Sequence, residues 1–193
     1  MAALLSFNDF FEAAVAEHLP SPPCYDYWER FDRFSDYWPE RVTAFCGGKP
    51  AQGKEQSHGC FATFFTNAIT SQPVANLFGV VSSLTTEVDT VLAGLAESIR
   101  FAHAHSPTHL RLTLISDQGD ALARLGYSLG RRKIGFTFTD QLVQAVRRGV
   151  ARVRDSDGSI QFSWRCFDQD WRFGFRQGAA ATIAVQTASQ HTQ

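Results

Sequence analysis

One cysteine of the sequence directly precedes a segment with helical periodicity. Between residues 61 and 69, phenylalanine and smaller apolar side chains recur every three or four positions, which predicts a helix that begins just after Gly59. Cys60 would then lie at the helix N-terminus, where backbone N–H groups and the helix dipole stabilise a thiolate and make it nucleophilic near neutral pH. The alternative is that Cys60 is a buried thiol of a phenylalanine-rich helix.

The residues around this cysteine resemble the nucleophile region of papain-like cysteine enzymes. Residues 56–61, with the sequence QSHGCF, place a glutamine upstream of the cysteine and an aromatic residue after it, at a shorter spacing than in that family. The resemblance implies a thiol hydrolase or transferase in which Gln56 binds the oxyanion. His109, at the start of a predicted strand, is then the candidate base, and Asp117 or Asp120 would orient it.

Three histidines near the end of a predicted central helix raise the question of a metal site. His105 and His109 are four positions apart, but Pro107 between them ends the helix that would place both on one face. Cysteine and carboxylate partners are not close to them in the sequence. The sequence therefore predicts no metal site, and His103 and His105 are expected to be exposed at a helix C-terminus, where the dipole favours a cation.

Charge is divided unevenly along the chain. Residues 1–99 contain 5 basic and 12 acidic side chains, whereas residues 100–193 contain 13 basic and 7 acidic ones. Almost all of the basic side chains are arginines, whose planar guanidinium suits phosphate and carboxylate groups. A helix predicted to be capped by Asp140 carries arginines on its outer side, and a predicted hairpin after residue 158 has arginines on one face and aromatic side chains on the other.

These arginines support the leading functional hypothesis from sequence, a non-catalytic binding module whose Arg-rich basic surface binds nucleic acid or an acidic protein partner. The alternative is an ordinary amphipathic helix and sheet whose arginines pair with the acidic N-terminal half. Association of acidic and basic halves could also form a homo-oligomer. The candidate binding residues are Arg131, Arg132, Lys133, Arg147, Arg148, Arg152, Arg154, Arg165, Arg172 and Arg176.

Residues 86–133 resemble part of the GNAT acetyltransferase family. In both, a long helix leads into a strand, and a short helix then ends in a Leu-Gly-aromatic sequence, here Leu125, Gly126 and Tyr127. Residues 83–87 lack the glycines of the turn that binds the acetyl-CoA pyrophosphate, and Leu122 occupies the position of the family's general-acid tyrosine. The resemblance therefore implies a degenerate acyltransferase scaffold, and we expect no cofactor.

Periodicity along the chain predicts a single α+β domain over residues 1–187, with a helical N-terminal half, a mixed or antiparallel sheet in the C-terminal half, and a flexible tail at 188–193. A glycine-rich loop is predicted at 47–59. Helices are predicted at 6–18, 25–38, 61–69, 86–102, 121–125 and 140–153, and strands at 74–84, 110–114, 133–139, 160–166, 171–175 and 180–187.

Composition bounds the class of protein. The sequence has no apolar run long enough to cross a membrane and no basic leader followed by an apolar core, so neither a membrane partner nor a secretory signal is expected. Its four cysteines, Cys24, Cys46, Cys60 and Cys166, contain no Cys-x-x-Cys pair. Reduced thiols in a cytoplasmic protein are predicted, unless the source is oxidising.

Overall fold

The computed structural model of the chain describes residues 27–50, 58–82, 86–126 and 138–165. Within these ranges, six strands form one sheet, and three helices follow the first four strands. The strands are β1 (Tyr27–Arg33), β2 (Arg41–Pro50), β3 (His58–Asn67), β4 (Pro73–Ser82), β5 (Arg111–Ser116) and β6 (Ser159–Trp164). The helices are α1 (Glu87–His105), α2 (Gly119–Gly126) and α3 (Phe138–Asp155).

The sheet is mixed, with strand order β1-β4-β3-β2-β5-β6. The neighbours β1 and β4, β4 and β3, and β3 and β2 are antiparallel, whereas β5 is parallel to both β2 and β6. Parallel neighbours need a crossover, which α1 provides before β5, and α2 and α3 provide between β5 and β6. The antiparallel and parallel halves of the sheet therefore meet at β2.

The central strands are buried on both faces, which accounts for their misleading sequence pattern. Residues 61–66 of β3 are all buried, with Phe61 and Phe65 in the main core and Phe64 packed with Phe45 in a second cluster. A strand covered on both faces needs apolar residues at every position, so phenylalanines at three- and four-residue spacing fit it as well as they fit a helix.

The predicted fold class is wrong for this reason. Segments 25–38 and 61–69, predicted as helices, contain β1 and β3, so strands dominate before residue 82 and the helices follow. Both ends of the predicted loop at 47–59 are strand instead, because β2 continues to Pro50 and β3 begins at His58. In the C-terminal half, β6 pairs in parallel with β5, and the predicted hairpin partner of β6 at 171–175 lies outside the described residues.

Helix α1 was correctly predicted, and it lies directly on the sheet. Thr86 caps its first turn, with its hydroxyl oxygen accepting a hydrogen bond from the backbone N–H of Asp89 at 3.0 Å. At Gly94 the helix comes so close to the strands that a Cβ atom would be 2.8 Å from Sγ of Cys46 and 2.9 Å from Cβ of Phe61. A second close approach holds the start of α1 over β2, because a Cβ at Gly48 would be 2.8 Å from Cγ2 of Thr90.

Several other sequence predictions can be placed on the structure. The strands predicted at 74–84 and 110–114 and the helices predicted at 121–125 and 140–153 are present with small shifts of their ends, as β4, β5, α2 and α3. Residues 6–18, 133–137, 171–175, 180–187 and 188–193 lie outside the described residues. Among the helices that the structure describes, none is both long and apolar enough to span a membrane.

Candidate functional site

The strands β2, β5 and β6 end at the same side of the sheet, here called the carboxyl edge. The register aligns Phe45 of β2 with Ile115 of β5, and Ser116 of β5 with Trp164 of β6. Asp117 directly follows β5 at this edge. In open sheets with parallel strands, ligands bind outside the carboxyl ends, where the connections diverge. A ligand-binding site is therefore expected at the carboxyl edge.

Asp117 lies in a turn that its neighbours hold in place. The backbone carbonyl of Asp117 accepts a hydrogen bond from the indole N–H of Trp164 at 3.0 Å. The hydroxyl of Ser116 accepts a hydrogen bond from the backbone N–H of Gln118 at 3.2 Å. The residue itself is exposed, so the turn presents its carboxylate at the surface.

Trp164 is a large apolar side chain left open to solvent beside this carboxylate. It ends β6, the last strand in the order of the described sheet, and 61% of the residue's surface is exposed. A Cβ at Gly119 would lie 3.5 Å from the indole ring, an ordinary van der Waals distance, so the ring packs beside the start of α2. The hydrogen bond to Asp117 fixes one side of the indole, and the exposed remainder can contact a ligand.

A second carboxylate comes to the carboxyl edge from the first turn of α1. Asp89 is only 7% exposed, and its Oδ1 accepts a hydrogen bond from the hydroxyl of Thr139, at the start of α3, at 2.6 Å. The next residue, Thr90, packs on Gly48 near the end of β2. The start of α1 therefore places Asp89 on the same side of the sheet as Asp117.

Cys46 lies beneath this edge and stays protonated. Burial raises the pKa of the Cys46 thiol to about 12, with the charge of Asp117 adding to the rise and hydrogen bonds with Thr63 and Ser98 opposing it. The two hydroxyls are themselves 2.7 Å apart, and Ser98 donates to the carbonyl of Gly94 at 2.6 Å. A neutral, fully buried thiol is a poor nucleophile and a poor ligand for a hard cation, so Cys46 is a packing residue.

The described residues contain no group of three or more His, Cys, Asp or Glu side chains that could hold a metal ion. The carboxylates of Asp89 and Asp117 are the acidic groups that we assign to the carboxyl edge. Magnesium is commonly held by one or two protein carboxylates together with water and substrate phosphates. The two carboxylates of the edge therefore suit a cation that a phosphate ligand brings with it.

The structure does not bring the sequence-predicted thiol pair together. Cys60 lies inside β3, aligned with Lys49 of β2, whereas His109 precedes β5, whose first residue is aligned with Arg41. Arg41 and Lys49 are separated by about 26 Å along an extended strand. Cys60 and His109 thus lie towards opposite ends of the sheet, and Gln56 is outside the described residues.

The candidate binding arginines point in several directions. On α3, Arg147 turns towards α2 and donates from Nη2 to the carbonyl of Leu125 at 2.9 Å, and partial burial lowers its pKa. Arg148 and Arg152 instead line a groove against α1, whereas Arg154 is exposed elsewhere on the helix. Arg165 is exposed just after β6. Outside the described residues lie Arg131, Arg132, Lys133, Arg172 and Arg176.

The fold is similar to those of several solved structures. The N-terminal RNase H domain of a Mycobacterium tuberculosis protein, solved as a maltose-binding protein fusion, matches with a TM-score of 0.55 and 14% identity, over 77% of this chain and 98% of that one. The fold is that of RNase H domains. RNase H1 of Halobacterium salinarum matches with a TM-score of 0.51 and 17% identity, over 76% and 98% of the two chains. LC11-RNase H1, solved in complex with an RNA/DNA hybrid, matches with a TM-score of 0.52 and 8% identity, over 75% and 99%.

This RNase H-like fold corrects three sequence-based interpretations. The resemblances to GNAT acetyltransferases and to papain-like enzymes are wrong, because the structural neighbours are RNase H domains. The non-catalytic module with one Arg-rich surface is also wrong, because the fold is that of RNase H domains and α3 directs its arginines to different sides. No protein-family model matches the sequence, and no curated protein matches it.

Sequence reasoning did not assemble the residues of the carboxyl edge. The sequence pattern suggests Asp117 only as a residue that orients His109, although Asp117 follows directly on a strand with alternating leucines. That position after a buried strand was the available signal. Trp164 carried no comparable signal, because an alternating aromatic residue is equally expected in a core.

Proposed function

We propose that the protein binds an RNA-containing nucleic-acid duplex at the carboxyl edge, with a divalent cation between its carboxylates and the phosphate backbone. The observation that carries this proposal is the placement of Asp117, Asp89 and the exposed Trp164 at the same end of the strands of an RNase H-like sheet. The neighbour LC11-RNase H1 was solved with an RNA/DNA hybrid, which makes that duplex the first ligand to test.

Electrostatics determine the need for a cation. Asp117 is exposed and Asp89 lies nearly buried at the same edge, so a phosphodiester backbone brought there meets negative charge. Two like charges within a few ångströms repel by about 4 kcal/mol at an effective dielectric constant of 20. A hydrated Mg²⁺ ion bound by a carboxylate and a phosphate oxygen removes this repulsion. Asp117 is the more exposed of the two carboxylates.

Trp164 supplies an apolar contact that the carboxylates lack. Its exposed indole lies beside Asp117, because the indole N–H is bonded to the carbonyl of that residue. Aromatic side chains stack on unpaired bases with a contribution of about 1–3 kcal/mol per base. A duplex with a single-stranded overhang can therefore use both the backbone and the base contacts of the edge.

Hydrolysis of the bound strand is the second candidate function, and the pair of carboxylates at the edge favours it. A divalent cation at such a site would polarise the phosphoryl group and lower the pKa of a bound water. In this chain, Asp117 would hold the cation, and Asp89 would be kept in place by Thr139. Cys46 would take no part, because its thiol remains protonated.

Fluorescence anisotropy with labelled RNA/DNA, DNA/DNA and RNA/RNA duplexes tests the binding. Wild-type protein is expected to bind the hybrid in Mg²⁺ and at least tenfold more weakly in EDTA. The Asp117→Asn variant should lose most of this dependence on Mg²⁺, since the repelling charge is gone. The Trp164→Leu variant should bind an overhang hybrid about tenfold more weakly, which corresponds to about 1.4 kcal/mol.

Tyr37→Leu is the matched control, because Tyr37 is 68% exposed but precedes β2, at the opposite end of the parallel strands. Its affinity should equal that of wild type. Equal losses in the Trp164→Leu and Tyr37→Leu variants, or hybrid binding that is indifferent to Mg²⁺, would refute binding at the carboxyl edge. To separate the two functions, the hybrid is incubated with the protein and Mg²⁺ and analysed on a denaturing gel. Only hydrolysis yields shortened RNA, and the Asp117→Asn variant should not produce it.

A further inference from the structure

A groove runs between α1 and α3, away from the carboxyl edge. It has a volume of about 210 Å³ and is lined by matching positions of the two helices, spaced three and four residues apart. Its charged and polar lining residues are Glu97, Arg100 and His103 from α1, and Arg148 and Arg152 from α3. The same groove includes Ile99 and Gly149, where the helices approach most closely, since a Cβ at Gly149 would lie 2.9 Å from Cγ2 of Ile99.

The groove carries excess positive charge. Glu97 forms an ion pair with Arg100 across one turn of α1, so this acidic residue is already engaged. For Arg148 and Arg152, the described residues show neither an ion pair nor a hydrogen bond. They are four positions apart on one face of α3, an arrangement in which like charges destabilise a helix. A bound anion would offset this repulsion.

The side-chain types identify the anion. A guanidinium presents several N–H donors in a planar fork, which suits the oxygens of a phosphate better than a small spherical ion. Arg148 is half-buried and Arg152 is exposed, so the groove is partly screened from water yet open to a ligand. His103 is held there by a contact of 3.2 Å between its Nε2 and the hydroxyl of Ser156.

We propose that the groove between α1 and α3 binds a phosphate group through Arg148 and Arg152 of α3. The phosphate belongs either to a small phosphorylated molecule or to a nucleic-acid backbone. Arg100 is eleven positions after Asp89 on α1, or about 16 Å along the helix axis. Phosphate binding here is therefore separate from the proposed duplex contact at the carboxyl edge, and either can fail alone.

Titration with inorganic phosphate, followed by two-dimensional NMR at constant ionic strength with chloride as the reference salt, tests the site. Wild-type protein should show saturable shifts of backbone amides in residues 96–103 and 145–152. The double variant Arg148→Gln/Arg152→Gln should bind at least tenfold more weakly. Arg154→Gln removes the same charge from an exposed position that does not line the groove, and its affinity should match that of wild type.

The outcomes separate the site from general charge attraction. An absence of saturable shifts in wild type, or equal weakening in the double variant and in Arg154→Gln, overturns the proposal. Competition then assigns the source of the phosphate. If a short RNA or DNA strand displaces inorganic phosphate, the backbone is the ligand, and if sugar phosphates displace it whereas oligonucleotides do not, the ligand is a small molecule. Both results retain the phosphate site.

Discussion

The two ends of α1 carry opposite charge and are held in different ways. At its amino end, Asp89 is nearly buried and accepts a hydrogen bond from Thr139 of α3. At its carboxyl end, Arg100 faces Arg148 and Arg152 across an open groove. The acidic end is thus fixed by buried contacts. At the basic end, Arg148 and Arg152 of α3 form no ion pair among the described residues. The amino end of α1 therefore has a fixed position, and the groove at its carboxyl end can attract an anion.

Close packing on the sheet is the reason that one end of α1 is so well fixed. Gly48 and Gly94 remove the side chains that would otherwise separate the helix from β2 and β3. The carboxyl half of α1 also packs on the sheet, since Ser98 contacts Thr63 of β3 and Phe101 packs on Phe65 of β3 at a centroid distance of 5.4 Å. Another side of this half meets α3. Substitutions at the sheet contact should therefore change the free energy of unfolding most, and substitutions at the groove should change it least.

Substitution of Gly94 by leucine should have the largest effect. Even a Cβ there would lie 2.8 Å from Sγ of Cys46 and 2.9 Å from Phe61, and both belong to central strands that cannot move aside. We expect the free energy of unfolding to fall by about 3 kcal/mol or more, from overpacking. Urea denaturation measures the change.

Gly126→Ala is the control for this variant. A Cβ at Gly126 would have no atom within 4 Å, so the free energy of unfolding should stay within about 1 kcal/mol of wild type. A Gly94→Leu protein as stable as the control would mean that α1 is not seated on β2 and β3 as described.

Replacement of Thr139 by valine should have the next largest effect. It removes the hydroxyl that donates to Asp89 at 2.6 Å and leaves a carboxylate of 7% exposure without that bond. Loss of a hydrogen bond to a charged group of this kind costs about 1.5–3 kcal/mol. Thermal and urea unfolding of Thr139→Val should show this loss, whereas Thr108→Val, at an exposed position, should be close to wild type. Equal stability of the two variants would show that the amino end of α1 is not held by Thr139.

The sequence predicted α1 well because local signals agree there. Thr86 is a good N-cap, acidic residues follow in the first turn, and apolar residues recur at helical spacing up to Ala102. Residues 61–66 carry no such agreement, because side chains buried on both faces erase the alternation that distinguishes a strand. The fold class was therefore predicted wrongly, because two predicted helices are strands of the sheet.

The site depended on contacts that local patterns do not encode. Asp117 follows Ser116 of β5, and Asp89 precedes the contact of α1 with Gly48, so both reach one edge only after β2 and β5 pair in parallel. The pairing of Ser116 with Trp164 brings the indole there as well. Strand pairing over such sequence separations is a tertiary property, and residues that were assigned roles in a thiol pair therefore ended at different ends of the sheet.

Cys46 provides a test of burial beneath the carboxyl edge through the dependence of stability on pH. Its pKa is raised from 9.0 to about 12 in the folded protein, so the unfolded chain releases the thiol proton first as pH rises. The stabilisation from this thiol is complete below pH 9 and is lost between pH 9 and 12, at about 1.4 kcal/mol per pH unit. The stability difference between wild type and Cys46→Ala should therefore shrink by about that amount from pH 10 to pH 11, under reducing conditions. Parallel pH profiles of the two proteins would contradict a buried, protonated thiol.

The smallest effect is expected at the basic end of α1, where charge is available rather than structural. Removing Arg148 relieves its repulsion with Arg152 one turn away, so Arg148→Gln should raise the free energy of unfolding by about 0.2–0.5 kcal/mol at low salt. Arg154 lies in the last turn of α3, where a cation is favoured by the helix dipole, so Arg154→Gln should lower stability slightly. The opposite signs should disappear at 1 M salt, where the screening length is about 3 Å. If Arg148→Gln instead destabilised the protein at every salt concentration, Arg148 would be a structural residue, and the contrast between a fixed acidic end and an available basic end would fail.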